Sequence, residues 1–131
     1  MKGRDLQRVL YVEDDADIRT IASLALETFG GLTLRACASG ADALVHAEAF
    51  GPDLLLLDVM MPGMDGPTTL ARLRERPAMR QVPVVFMTAK VQASEVENYK
   101  VLGALGVISK PFDPMLLADQ VKALWRERPA G

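Results

Sequence analysis

Cysteine and histidine are almost missing: the 131 residues hold one of each, Cys37 and His46. A single thiol excludes an internal disulfide and fits a reducing compartment, so a cytoplasmic location is expected. An excess of one charge is missing too. Fifteen basic residues against seventeen acidic leave a formal net charge of −2, whereas a dedicated nucleic-acid binder carries a clear basic excess. No nucleic acid is expected among the partners. No apolar run approaches the roughly 18 residues of a spanning helix, so no membrane insertion is expected. The opening Met1-Lys2-Gly3-Arg4-Asp5 leads straight into a charged, strand-like stretch and does not read as a signal peptide. Linkers, internal repeats and low-complexity segments are also lacking.

What is there is ordinary globular usage, 50% apolar and 24% charged, at a length typical of one domain. One domain is expected over residues 1–131, with its core at about 8–126 and no output domain.

Short apolar runs alternate with longer segments of helical period. Val9–Val12, Leu54–Leu57 and Val84–Met87 are continuously apolar, and Val107-Ile108 forms a short fifth run. Leu32–Ala36 alternates apolar and polar, as a half-exposed strand does. Between them, Ile18, Ile21, Ala22, Ala25 and Phe29 fit one buried helix face that stops at Gly30-Gly31. Ser39 is expected to cap a second helix running through Leu44 to Phe50, before Gly51-Pro52. Pro67 suits the first turn of a third, Thr68 to about Glu75, and Ser94 is expected to cap a fourth, Glu95 to Leu102. The last follows Pro114, carries a stripe of Leu117, Val121, Leu124 and Trp125, and ends near Pro129.

This βα alternation, repeated five times, predicts a doubly wound, flavodoxin-like (βα)5 fold: an α/β protein with a five-stranded parallel sheet and helices on both faces. The strand order 2-1-3-4-5 suits it, because the alternating second strand then lies at an edge. Functional groups of such sheets gather beyond the carboxyl ends of the strands. Glu13, Asp14 and Asp15 follow the first strand, Asp58 ends the third, Thr88 follows the fourth and Lys110 the fifth. Carboxylates held together repel one another, and a divalent cation is the natural compensation. With oxygen ligands alone, and no histidine or cysteine nearby, Mg²⁺ is favoured over zinc. Asp15 fits a helix N-cap better than a ligand.

Four blocks carry a family likeness: Val12-Glu13-Asp14-Asp15, Leu57-Asp58 through Asp65-Gly66, Met87-Thr88-Ala89 and Ser109-Lys110-Pro111-Phe112. In this order and spacing they resemble the conserved blocks of bacterial two-component response regulator receiver domains, of the stand-alone, chemotaxis-regulator-like kind, over roughly Val9 to Leu124. The resemblance implies that Asp58 is the phosphoacceptor and that Glu13 and Asp14 are the acidic pair. It makes Asp14 the direct metal ligand, has Glu13 act through water, and completes the site with the Met60 backbone carbonyl. Thr88 matches the switch hydroxyl and Lys110 the invariant lysine, followed by a cis Lys110–Pro111 bond. The implied cofactor is Mg²⁺, with Mn²⁺ as a substitute.

The function implied is a phosphorylation-activated switch. A histidine kinase or a histidine phosphotransfer protein would donate to Asp58, and binding to a separate downstream protein would change. Such a domain assists its own phosphorylation and dephosphorylation but turns over no separate substrate, so it is not expected to be an enzyme; a monomer or weak dimer is expected. One position departs from the family: Val107 stands where a tyrosine or phenylalanine usually serves as the switch aromatic. Tyr99, or main-chain shifts around Lys90 and Val91, are then the alternative readouts. Two other functions compete. An aspartyl-phosphate phosphatase of the haloacid-dehalogenase type would need a second aspartate where Met60 stands, and a receiver that works unphosphorylated would not need the acidic cluster. His46 reads as a solvated helix residue, Cys37 as a small residue near a strand end, and Met60, Met61 and Met64 as loop packing, with a soft docking surface for a partner as the alternative.

Overall fold

The computed structural model describes residues 4–129; the first three residues of the stretch weighed as a signal peptide lie outside them. Five strands, β1 (Arg8–Val12), β2 (Thr33–Cys37), β3 (Leu54–Asp58), β4 (Val84–Thr88) and β5 (Ala104–Ser109), pair in parallel in the order β2-β1-β3-β4-β5. β3 and β4 are buried at every residue, while the edge strand β2 alternates exposed and half-buried. Five helices connect and cover them: α1 (Ala16–Leu24), α2 (Gly40–Phe50), α3 (Gly66–Arg74), α4 (Ala93–Val101) and α5 (Leu117–Arg126). The expected doubly wound, flavodoxin-like architecture is the one observed.

The core has two halves because successive strand residues point to opposite faces. Val9, Tyr11, Leu54, Leu56, Val85 and Met87 meet α1 and α5 on one face. Leu10, Val12, Leu55, Leu57, Val84 and Phe86 meet α2 and α3 on the other. Among the described residues no helix is long and apolar enough to cross a membrane.

The caps are local and mostly as expected. Asp15 accepts from the Ile18 amide at 3.0 Å and Ser39 from the Asp42 amide at 3.0 Å. Gly51 closes α2 in the left-handed region, φ 66°, which costs an L side chain more than glycine. Several expectations need correction. Ser94 caps nothing: α4 starts at Ala93, and Gln92 precedes it without a side-chain bond. α3 starts earlier than expected, at Gly66, capped by Asp65, whose carboxylate accepts from the Thr68 amide at 2.8 Å. The fifth strand is not the Val107-Ile108 pair alone but six residues long.

The proposed face of the first helix is also wrong in part. Ile21 is 48% and Phe29 56% exposed, whereas Ala22, Ala25 and Leu26 are buried. For Phe29, though not for Ile21, the reason is a change of pitch. Ala25–Phe29 continues α1 as a π-helical turn, closed by the Gly30 amide on the Ala25 carbonyl at 3.1 Å. A wider turn rotates the later positions off the regular stripe, and Leu26 takes the core position that Phe29 was expected to fill.

Candidate functional site

Parallel strands that begin on one side deliver their last residues to the same rim. Register places Val12 beside Leu57 and Asp58 beside Met87, so Glu13 and Asp58 emerge as neighbours. Both project on the α1/α5 side of the sheet, two residues beyond Tyr11 and Leu56. Lys110, two residues beyond Ile108 of β5, projects on the same side.

The three side chains meet. The Lys110 ammonium donates to Glu13 Oε1 at 2.7 Å and to Asp58 Oδ1 at 3.0 Å. Glu13 is 1% and Asp58 2% exposed. The other Glu13 oxygen accepts from the Asp15 amide at 3.2 Å. Carboxylate oxygens of Glu13, Asp14 and Asp58 lie within 4.8 Å of one another, with Asp14 on the solvent side. An all-oxygen cluster of this kind fits a hard cation such as Mg²⁺ rather than a thiophilic one. The Met60 side chain points outward, 71% exposed, and its chain position directly follows Asp58 and Val59.

The electrostatics follow from counting charges. Burial raises Asp58, the Lys110 hydrogen bond lowers it, the Glu13 charge raises it again, and it ends near 6. Burial alone would lower the Lys110 ammonium, but its bonds to Glu13 and Asp58 outweigh that and hold it above the ordinary lysine value. One lysine facing two buried acids leaves one negative charge unmatched. A cation would supply what is lacking.

Thr88 is buried at the end of β4 but on the opposite face, two residues beyond Phe86. Its hydroxyl accepts from the Lys90 amide at 3.1 Å, and its carbonyl accepts from the Lys110 amide at 2.9 Å. It adjoins the acidic cluster without a hydrogen bond to it among the described residues. Lys110–Pro111 is cis. Val107 lies in β5, paired with Phe86. His46 pairs with Asp42 one helical turn away at 3.2 Å, on the surface. Cys37 is buried at the end of β2, and its thiol is pushed up to about 11, chiefly by burial.

Three contributors were not anticipated. Arg19 of α1 donates to the Glu13 carbonyl at 2.8 Å and also reaches the Asp14 carbonyl, at 3.4 Å, tying the acidic turn to the helix. Gly66 passes so near the phosphoacceptor candidate that a Cβ there would stand 2.5 Å from the Asp58 carbonyl oxygen. The Tyr11 hydroxyl is buried beneath the cluster with no hydrogen-bond partner among the described residues, and burial first, then Glu13 and Asp58, raise its pKa. Only Gly66 left a signal in the sequence, as the closing glycine of the second motif block.

The profile of the response regulator receiver domain matches residues 9–122. The transcriptional regulatory protein CseB of Streptomyces coelicolor is 37% identical over 122 residues, covering 93% of this chain and 50% of that protein. The response regulator PleD of Caulobacter vibrioides is 37% identical over 121 residues, covering 91% of this chain and 26% of that protein. The chain thus spans half or less of the length of these curated relatives. Among solved structures, the chemotaxis response regulator CheY4 of Vibrio cholerae superposes with a TM-score of 0.82 at 28% identity, over 91% of this chain and 98% of that one. With this profile over most of its length and these relatives, the chain belongs to the response regulator receiver domain family of two-component signalling.

Proposed function

We propose that this receiver domain is a switch set by phosphorylation of Asp58. The observation that carries the reading is the shared ammonium: Lys110 bonds Glu13 and Asp58 at 2.7 and 3.0 Å at the closed end of an acidic cluster. A buried carboxylate near pKa 6 is ionised at neutral pH, so one Asp58 oxygen can attack a phosphorus atom. The new bond joins Asp58 to the phosphoryl group, and the bond to the donor breaks; for a phosphohistidine donor the imidazole nitrogen leaves and takes up a proton. A histidine kinase or a histidine phosphotransfer protein is the donor class that this chemistry suits. Lys110, already 3.0 Å from Asp58, would stabilise charge on the phosphoryl oxygens, and Thr88 would donate its hydroxyl to one of them.

Glu13, Asp14, Asp58 and the Met60 carbonyl would hold Mg²⁺ or Mn²⁺, which when bound offsets the charge that the phosphoryl group brings. The modified aspartate carries about −1.5 to −2 charge and biases the domain between two forms that differ in their affinity for a target protein. The family is one of signalling domains rather than classical enzymes, and the domain itself is consumed and restored rather than turning over a substrate.

The test is direct. Incubation with acetyl phosphate and Mg²⁺ is expected to add one phosphoryl group that hydroxylamine removes, and neither Asp58→Asn nor a chelator-treated sample should gain it. A hydroxylamine-stable adduct, or one retained in Asp58→Asn, would overturn the assignment.

A further inference from the structure

The sheet has a second pole, where its strands begin. Asp53 and Pro83 directly precede β3 and β4, and both line a cavity of about 670 Å³, a volume within the range of small-molecule sites. The length of a five-residue strand, roughly 16 Å, separates this pole from the rim that carries Asp58. The charged lining is one-sided. Arg4, Arg74, Arg80 and Arg128 stand against a single acid, Asp53, in a chain whose net charge is −2.

Asp53 is already committed. Its Oδ1 accepts from Arg4 at 2.8 Å, and its Oδ2 accepts from the Gln7 and Arg8 amides at 3.2 and 2.9 Å. The other three guanidiniums have no carboxylate partner among the described residues. Arg74 donates to the Met79 and Val82 carbonyls, both at 2.6 Å, which ties down the loop that carries Arg80. Burial pushes Arg74 below the ordinary arginine value, and no acid offsets it. Arg128 lies 3.6 Å from the centre of the Trp125 ring and donates to the Trp125 carbonyl at 2.9 Å. Trp125 is itself buried and donates to the Arg4 carbonyl at 2.9 Å. Arg80 is exposed, and its side chain makes no hydrogen bond among the described residues.

Three unmatched positive charges on one concave surface repel one another and favour an anion of similar charge. A guanidinium keeps its charge, has five N–H donors and pairs with phosphate oxygens through two parallel bonds. One phosphate group brings about −1.5 to −2, so two joined groups bring about −3. We propose that this cavity binds a small ligand bearing a diphosphate group, with Arg74, Arg80 and Arg128 donating to its oxygens. A long polyanion fits less well, because it would run past the cavity over a chain that is negative overall. The diphosphate is either inorganic or part of a nucleotide, and the test separates these sources. The site lies at the opposite pole from Asp58 and does not depend on the phosphoacceptor reading.

Trp125 is the one tryptophan of the chain and lines the cavity, so its fluorescence reports occupancy. With the full chain in EDTA, pyrophosphate is expected to give a saturable change with half-saturation below about 1 mM, and orthophosphate to need about tenfold more. ADP bound several-fold tighter than pyrophosphate would mark a nucleotide, and equal binding the diphosphate alone; either supports the site. The double variant Arg80→Gln/Arg128→Gln should weaken pyrophosphate about tenfold or more, whereas Lys110→Gln, at the other pole, should bind it as the wild type does. Isothermal titration calorimetry gives the same constants without relying on the indole that Arg128 touches. No saturable response to pyrophosphate or ADP up to about 10 mM would overturn the proposal. Binding lost in Lys110→Gln and kept in the double arginine variant would also overturn it, by placing the anion beside Asp58. Hexaglutamate or a short single-stranded oligonucleotide that binds these arginines more tightly than both ligands would show a different occupant and overturn the diphosphate.

Discussion

The Lys110 ammonium lies 3.0 Å from the Asp58 carboxylate, yet Asp58 sits near 6, above the ordinary 3.8. A private ion pair would pull the acid down. Burial raises it, and the ammonium is shared with Glu13 at 2.7 Å, so one of two buried negative charges has no partner. Asp58 in the folded protein therefore keeps its proton to higher pH than in the unfolded chain. The stability that this contributes is complete below the unfolded value of about 4 and is lost as pH rises through about 6.

Removing that charge should stabilise the protein. The rise from 3.8 to about 6 corresponds to a few kcal/mol, on the order of 3, at neutral pH. Asp58→Asn leaves Lys110 with Glu13 alone, one charge against one. Without metal at neutral pH it is expected to be about 2–3 kcal/mol more stable than the wild type, the difference vanishing below about pH 4. Urea unfolding across this pH range measures it. Equal stability at neutral pH would show that the cluster carries no unmatched charge.

Metal should relieve the same repulsion. Mg²⁺ bound only to the folded form stabilises by about 2.7 kcal/mol at a hundred times its dissociation constant. Asp14 separates this effect from the rest, because it is exposed and its carboxylate makes no hydrogen bond among the described residues. Asp14→Ala is expected to leave metal-free stability within about 0.5 kcal/mol of the wild type. The rise in melting temperature on Mg²⁺ titration should be largely lost. A full Mg²⁺ response in Asp14→Ala would remove this residue from the metal site.

Gly66 is needed for space, not for an unusual backbone angle. A methyl group there would meet the Asp58 carbonyl oxygen at 2.5 Å and the Val59 Cα at 3.0 Å, both backbone atoms with little room to give. Gly66→Ala is therefore expected to cost about 1–3 kcal/mol. It should also slow phosphoryl uptake from acetyl phosphate, since the chain that carries Asp58 must move. Normal stability in Gly66→Ala would mean that the turn from β3 into α3 is softer than its packing indicates.

Much of this was legible because the signals are local. Apolar runs of four residues between amphipathic segments separate strand from helix by period, and each strand-end residue reaches the rim by register alone. The polar rim residues Glu13, Asp58, Thr88 and Lys110 could therefore be named from their chain positions. What was hidden depends on packing between distant segments. Ala104 and Gly106 do not look like strand residues, yet Gly106 sits under the Leu124 side chain, where a Cβ would be 2.7 Å from Cδ2. The π turn that exposes Phe29 changes the period on which the helix reading relied. Arg19 reaches back to the Glu13 and Asp14 carbonyls, and no spacing rule announces such a contact.

The two serines read as helix caps offer a matched comparison, because the same residue type precedes a helical segment in both places. Ser39 has an extended backbone, and its hydroxyl accepts from the Asp42 amide at 3.0 Å. Replacing such a cap by alanine costs about 1 kcal/mol, since an amide at the helix start loses its partner. Ser94 already lies inside the first turn of α4, behind Gln92, and caps no amide. Alanine is the better helix former at such a position, by a few tenths of a kcal/mol at most. Ser39→Ala is thus expected to lower stability by about 1 kcal/mol, and Ser94→Ala to leave it unchanged or slightly raised. Urea unfolding of the two variants side by side decides it; an equal loss in both would restore Ser94 as a cap and move the start of α4 towards Glu95.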